Sequence, residues 1–310
     1  AELGLSPAGR VEICNGLIFA SWNPDVGPLD EHLGDMRWYL DILFARTPGG
    51  MRVIGPPQRW VVETNWKIPS LNFIDAQHAM RTHMGPLAAV HAAGAPSPSE
   101  LTKITDVTPQ IVFPQGHGIV PDTLGSNAPP FFGRDPALVP LFEATLSPPQ
   151  FKQFRECAPT VGTIFPNTSF VELPLTVDRD KPPIYFTSIR NWQPRGPNHT
   201  EVWCWYFAEA EASVDWREAG HEVGTQTFGM GGVFEEDDAE VWASITRAIR
   251  NPIAKRGMVD FDAGVDLLPI ENFNGPGIVY PSLLTDHSQR AFIRRWQREM
   301  QMKGIAGDDN

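Results

Sequence analysis

The sequence predicts an α+β fold, and three observations carry that prediction. Strand-like runs gather in the middle of the chain, helix-like runs lie on either side, and the middle strands follow one another without room for crossover helices. Length agrees, since 310 residues bury a large core and fit one big domain with an appendage better than a string of small ones.

The elements follow in order. "RVEICNGLIFASWNP", residues 10–24, is rich in β-branched and aromatic residues and ends in an Asn-Pro turn signal, so it reads as a strand or hairpin arm. "PLDEHLGDMRWYLDILFAR" spaces Leu33, Met36, Leu40 and Leu43 for a helix, with Asp30 as N-cap after Pro28. "RWVVETNWKIP", residues 59–69, returns to strand character, and a helix carrying "NFIDAQHAMRTH" follows. Residues 85–150 hold "GAPSPSE", "SNAPPFFGRDP" and "LSPPQ" and read as loop with short helices at most.

Three strand candidates come next: "TVGTIFPNTSFVEL", "PPIYFTSIRNWQP" and "TEVWCWYFAEAEA". The last two are separated by the hairpin loop "RGPNH". "SVDWREAGHEVGTQTF" reads as a helix with Ser213 as N-cap. A second helix over residues 238–250 puts Val241, Trp242, Ile245 and Ile249 on one face and stops at Pro252. The last, over residues 288–303, carries Phe292, Ile293, Trp296 and Met300. No internal repeat is present.

Composition narrows the function. A net charge of −12, with no basic run beyond "RAFIRRWQR", argues against a nucleic-acid partner, because phosphate neutralisation needs clustered Lys and Arg. No stretch reaches the ~18 apolar residues of a membrane span. Cys14, Cys157 and Cys204 are odd in number and widely spaced, which suits buried thiols in a reducing cytoplasm. The chain opens on Ala-Glu-Leu and reaches strand character within ten residues, so its start reads as a cut.

The chemistry-bearing residues sit in two places. His78 and His83 are five apart, and on a regular helix such residues stand roughly 140° apart. Convergence therefore needs a π-type turn or a helix end between Ala79 and Thr82. A lone pair of this kind is weak evidence, and its ordinary reading is one structural and one exposed histidine. Far downstream, Glu235, Glu236, Asp237 and Asp238 put four adjacent acids at a helix start. Acids there complement the helix dipole, but four together repel one another more than a cap requires. A nearby cation relieves that repulsion. Two imidazoles and one carboxylate on one side of a metal, with open positions opposite, form the facial triad of non-haem Fe(II) oxygenases.

"NWKIPSLNFIDAQHAMRTH" together with "GVFEEDDAEVW" resembles the catalytic domain of the α subunit of Rieske-type aromatic-ring-hydroxylating dioxygenases, in the naphthalene, biphenyl and polycyclic-hydrocarbon branch. "NGLIFASWNP", "LGDMRWYLD", "FPNTSF" and "YPSLLTDHSQRAFIRRW" extend the likeness over the whole chain. The resemblance implies a helix-grip (START/Bet v1-like) antiparallel sheet flanked by helices, with residues 1–26 as a remnant of the Rieske domain and linker and 27–310 as the mononuclear-iron domain. It implies that His78, His83 and Asp238 ligate the iron, with Asp237 as the alternative carboxylate. It makes Asp75 the bridging aspartate between the first iron histidine and a Rieske histidine of a neighbouring subunit. From spacing alone, the Asp75 carboxylate is placed to hold the second nitrogen of His78. The family's pocket positions fall on Asn72, Phe73, Ala79, Pro159, Val161, Phe228 and Phe234, a wall with few polar groups that suits an aromatic hydrocarbon. The position of Asn72 is one residue closer to His78 than in the naphthalene enzymes.

The resemblance further implies a dioxygenase that adds both atoms of O2 to give a cis-dihydrodiol. It also implies a β subunit in an α3β3 assembly, a ferredoxin and an NAD(P)H-dependent reductase. One departure stands out: the CxH and CxxH motifs that hold the family's Rieske [2Fe-2S] cluster do not occur in these 310 residues. That cluster is expected in the full-length subunit. Two other readings compete, a Rieske monooxygenase or demethylase with the same iron site, and a metal-free helix-grip module that binds hydrophobic ligands.

Overall fold

Side chains on β8 (Ile184–Pro194) point alternately to two cores. Tyr185 and Ile189 enter one apolar cluster while Phe186 and Trp192 enter another, as the two-residue period of a strand requires. Both faces of the sheet are therefore covered, and its strands read as nearly continuous apolar runs. A computed structural model of the chain describes residues 4–86, 88, 108–123, 131, 134–176 and 183–304.

The fold is α+β, an eight-stranded antiparallel sheet flanked by helices. Strand order is β10 (Ile278–Tyr280), β4 (Gln110–Val112), β5 (Gly118–Thr123), β6 (Cys157–Ile164), β7 (Thr168–Leu175), β8, β9 (Thr200–Glu209) and β3 (Met51–Val62). β1 (Arg10–Cys14) and β2 (Leu17–Ser21) form a separate two-stranded hairpin that turns at Asn15–Gly16, where the sequence reads as a single strand or hairpin arm. The β8–β9 hairpin closes on Arg195 N donating to His199 O at 2.8 Å.

On one face lie α1 (Leu29–Leu33), α2 (Met36–Phe44), α5 (Val139–Thr145) and α6 (Pro148–Glu156). On the other, α7 (Val214–Phe228) packs on the sheet and α8 (Val233–Ile249) packs on α7. α7 comes close because its inner face is glycine: a Cβ on Gly224 would stand 2.7 Å from the Tyr206 ring. Ser213 caps α7 as expected, its Oγ accepting from Trp216 N at 3.2 Å.

The structure corrects several expectations. The helix after Pro28 breaks into α1 and α2 at Gly34, which has φ +51°. Asp30 is not its cap: Pro28 holds that position without a side-chain hydrogen bond, and Asp30, inside the first turn, pairs with Arg37. Residues 85–150 supply β4, only three residues long, and β5, which contains Gly118 and Pro121, so both carry little periodic signal. "GAPSPSE" lies outside the described residues. "TVGTIFPNTSFVEL" is two strands, not one, because the chain turns at the cis Phe165–Pro166 peptide. α8 starts at Val233 rather than residue 238, and its buried face is Phe234, Glu235, Asp238, Trp242, Ala243 and Thr246, whereas Val241, Ile245 and Ile249 are exposed. The final helix, α9 (His287–Gly304), buries Phe292 and exposes Met300. Among the described residues no helix is long and apolar enough to cross a membrane.

Candidate metal centre

The two histidines converge because they flank a single turn instead of sharing a helix. α3 (Lys67–Asn72) ends at Phe73, the chain turns through Asp75, and α4 (Ala79–Thr82) is one four-residue turn with His78 before it and His83 after it. Thr82 N donates to His78 O at 2.7 Å and His83 N to Ala79 O at 3.3 Å, after which His83 leaves helical geometry at φ −96°, ψ 21°. The two rings stand 5.4 Å apart, edge to face. A helix end does this, as the five-residue spacing demands, although it falls at His83 and not within residues 79–82.

His78 Nδ1 is held by the Asp75 main-chain carbonyl, not by its carboxylate. The Asp75 Oδ1 atom instead accepts from Gln77 N at 2.8 Å. The turn before α4 explains the correction, because a non-helical bend carries the carbonyl under the ring and turns the side chain forward. With Nδ1–H donated to a carbonyl, Nε2 carries a lone pair, and Asn72 Nδ2 approaches it at 3.2 Å.

The acids arrive from α8. The helical repeat turns Glu235 and Asp238 inward on one face and leaves Asp237 at its margin. Asp238 Oδ1 lies 3.5 Å from His83 Nε2 and 3.8 Å from His78 Nε2, and Asp238 Oδ2 lies 3.4 Å from Asn72 Nδ2. Asp237 Oδ2 sits 3.6 Å from the opposite nitrogen of His83, Nδ1. Burial disfavours a charged His83, but Asp238 and Asp237 outweigh it and raise its pKa. A positive charge is thus favoured between these groups.

One ligand atom each from His78, His83 and Asp238 lies within 4.8 Å of the others. Asp238 Oδ1 is buried and has no hydrogen-bond partner among the described residues. Two imidazole nitrogens and a lone carboxylate oxygen suit a divalent first-row metal that binds nitrogen and oxygen, so the residues fit an iron site.

The aromatic positions gather beside this cluster. Phe234 meets the His83 ring edge-on at 5.2 Å and stacks on Phe228 at 5.3 Å and 13°. Phe73, Phe228 and Phe234 share one apolar cluster, with Val161 packed against it. Pro159 is buried on β6 opposite Pro121, and Ala79 is half-buried next to His78.

One neighbour escaped the sequence reading. Arg190, buried on β8, lies with its guanidinium carbon 5.2 Å from the Phe73 ring centroid and 5.3 Å from that of Phe228, and it donates to Phe228 O. Its NH2 is 3.3 Å from Glu235 Oε2. Burial pushes the Glu235 carboxyl up to about 7, against the pull of Arg190. A single Arg inside the mostly apolar stretch "IYFTSIRNW" is the signal that could have found it.

The family described as ring hydroxylating alpha subunit, catalytic domain, matches residues 29–268. The chain is 30% identical to the biphenyl 2,3-dioxygenase subunit alpha of Rhodococcus jostii (strain RHA1), over 94% of this chain and 62% of that protein. It is 27% identical to the N,N-dimethyl phenylurea N-demethylase subunit alpha of Sphingobium sp. (strain YBL2), over 96% of this chain and 65% of that one. Among solved structures, naphthalene 1,2-dioxygenase from Rhodococcus sp. bound to indole superposes with a TM-score of 0.88 at 33% identity, covering 98% of this chain and 68% of its own. The chain thus spans somewhat less than two thirds of the length of these two curated relatives.

Proposed function

The chain belongs to the ring hydroxylating alpha subunit family through its catalytic domain, and from that premise we propose that His78, His83 and Asp238 hold a mononuclear non-haem Fe(II). The observation that carries this is the approach of three ligand atoms to within 4.8 Å around a buried Asp238 oxygen that has no hydrogen-bond partner among the described residues. When bound, the iron would supply the open coordination positions at which O2 is activated.

The chain's own residues supply the rest. The Asp75 carbonyl fixes the tautomer of His78 and so presents its Nε2 lone pair to the metal, Asn72 donates toward Asp238 Oδ2, and Asp237 faces the outer nitrogen of His83 at 3.6 Å. Phe73, Phe228 and Phe234, with Ala79, Pro159 and Val161, make a wall that excludes water and asks no hydrogen bond of its substrate. We read the substrate as an aromatic, polycyclic hydrocarbon and the product as a cis-dihydrodiol. Residues 1–26, with their separate β1–β2 hairpin, are read as the tail of a Rieske domain and linker, and 27–310 as the iron domain.

In the longer subunit a Rieske [2Fe-2S] cluster, fed by a ferredoxin and an NAD(P)H-dependent reductase, supplies electrons, with Asp75 bridging to a neighbouring subunit. A β subunit in an α3β3 assembly and a cytoplasmic setting complete the reading. This polypeptide by itself is expected to bind iron and substrate without sustained turnover.

The test is metal analysis of the purified chain, followed by product analysis of the full-length subunit with its ferredoxin and reductase under 18O2. One iron per chain and a diol with both oxygens labelled support the proposal; a protein that takes up no Fe(II) overturns it. A second reading is favoured by the phenylurea N-demethylase relative: the same site inserting a single oxygen atom. A dealkylated or singly labelled product selects it.

A further inference from the structure

We propose that Arg190 is a positioning residue that ties the aromatic wall to the metal carboxylate, with Glu235 as its counter-charge. The inference rests on the iron-site reading above and deepens it.

The same protein shows what a purely structural buried ion pair looks like. On the other side of the sheet, Arg46 NH2 meets Glu172 at 2.7 Å and Glu209 at 2.8 Å, and Arg134 meets Glu172 at 2.8 Å. Carboxylates and guanidinium nitrogens are matched there, which is how a buried pair offsets its desolvation cost.

The Arg190–Glu235 pair is built differently. Both side chains are buried, yet they approach only to 3.3 Å, and Arg190 Nε and both Glu235 oxygens have no hydrogen-bond partner among the described residues. As a stabilising element such a pair is poor, since an apolar pair of like volume is as good or better. Its placement gives it another use. Glu235 precedes Asp238 by one turn on the same helix face, and Phe234 beside it touches His83. Arg190 reaches across from the sheet, packs on the rings of Phe73 and Phe228, and donates to the Phe228 carbonyl and, at 3.4 Å, to Ser188 Oγ. One guanidinium therefore touches two of the aromatic side chains assigned to substrate and the helix that presents Asp238.

Charge fits the same assignment. Arg190 and one divalent cation together balance Glu235, Asp237 and Asp238, with both imidazoles neutral. A shift of the Phe73 and Phe228 rings on binding an aromatic ligand is passed through Arg190 and Glu235 to Asp238, so ring position and metal geometry move together.

The test uses the full-length subunit loaded anaerobically with Fe(II), with nitric oxide as the spectroscopic probe and indole as the aromatic ligand. Wild type, Glu235→Gln, Arg190→Lys and Arg190→Met are compared by iron content, indole affinity and the electron paramagnetic resonance signal of the iron–nitrosyl. In wild type, indole is expected to change the signal. In Glu235→Gln and Arg190→Met that change should be lost and indole should bind about tenfold more weakly, with one iron per chain retained; Arg190→Lys should restore part of it. Glu235→Gln is nearly isosteric, so it keeps the test intact should Arg190→Met fail to fold. Variants that keep the wild-type indole response and affinity overturn the proposal. A wild-type protein without iron overturns the metal reading instead, and this inference with it.

Discussion

His83 faces Asp238 across 3.5 Å with Nε2 and Asp237 across 3.6 Å with Nδ1, so one imidazole separates two adjacent carboxylates, and the proposed iron site gives them different roles. Asp238→Asn preserves shape and removes the ligand charge; Fe(II) affinity is expected to fall by at least about 100-fold. Asp237→Asn keeps an acceptor oxygen before the outer nitrogen and removes only the negative charge there, for which a smaller loss of about 10-fold is expected. Competition against a chromogenic Fe(II) chelator ranks the two, and the larger loss in Asp237→Asn would reverse the assignment.

A second histidine pair sets an acid limit on the fold. His117 Nε2–H donates to His32 O at 2.7 Å while His117 Nδ1 accepts from Phe165 N at 2.8 Å, so the neutral ring is fully satisfied. A proton on Nδ1 would meet an N–H already pointing at it. Burial, reinforced by the nearby charge of His32, lowers the His117 pKa to about 3. Below the unfolded value near 6.5 the unfolded chain takes up a proton that the folded chain refuses. The stabilisation is therefore present above that pH and is lost as pH falls toward about 3, at up to about 1.4 kcal/mol per unit. His117→Gln should flatten this slope in urea unfolding measured from neutral to acid pH; equal slopes for variant and wild type would refute the assignment.

The site was more legible than the path that builds it. His78, His83 and the acid cluster are conspicuous because each is a polar group where the apolar pattern leads inward. The five-residue histidine spacing already required a helix end, and the structure supplies one at His83. Residue spacing puts the Asp75 carboxylate on His78 because it assumes a continuous helix, and the chain turns between Asp75 and His78 instead. β4 and β5 escaped notice because three residues of β4 and a Gly- and Pro-containing β5 offer no period to count. Arg190 was passed over because a strand buried on both faces carries no polar side against which an inward charge stands out.

The Arg46 network offers a stability test remote from the proposed iron site. Burial alone would lift the Glu172 carboxyl, yet Arg134 and Arg46 outweigh it and hold it below the usual range. Arg46→Met leaves Glu209 without this cation and halves the charge opposite Glu172, so a loss of about 3–5 kcal/mol is expected. Urea unfolding measures it directly. A loss under about 1 kcal/mol would show that Arg134 compensates by itself.

Helix α8 gives the sharpest contrast between sequence pattern and packing. Val241, Ile245 and Ile249 recur every four residues, which is how a core-facing stripe looks, yet they are 38%, 41% and 46% exposed while Trp242 is 1% exposed. The inward face was chosen by the site: turning Asp238 toward the histidines swings Trp242, one turn on, into the cluster with Trp192, and rotates the aliphatic stripe outward. Ile245→Lys is accordingly expected to change stability by no more than about 0.5 kcal/mol, as a surface substitution does. Trp242→Ala should cost about 3–5 kcal/mol, since it empties a filled core site and removes the edge-on contact with Trp192 at 5.5 Å. Denaturant midpoints of the two variants, taken on the same iron-free preparation, decide the matter. A large loss from Ile245→Lys with a small one from Trp242→Ala would mean that α8 is rotated from the orientation that brings Asp238 to His83.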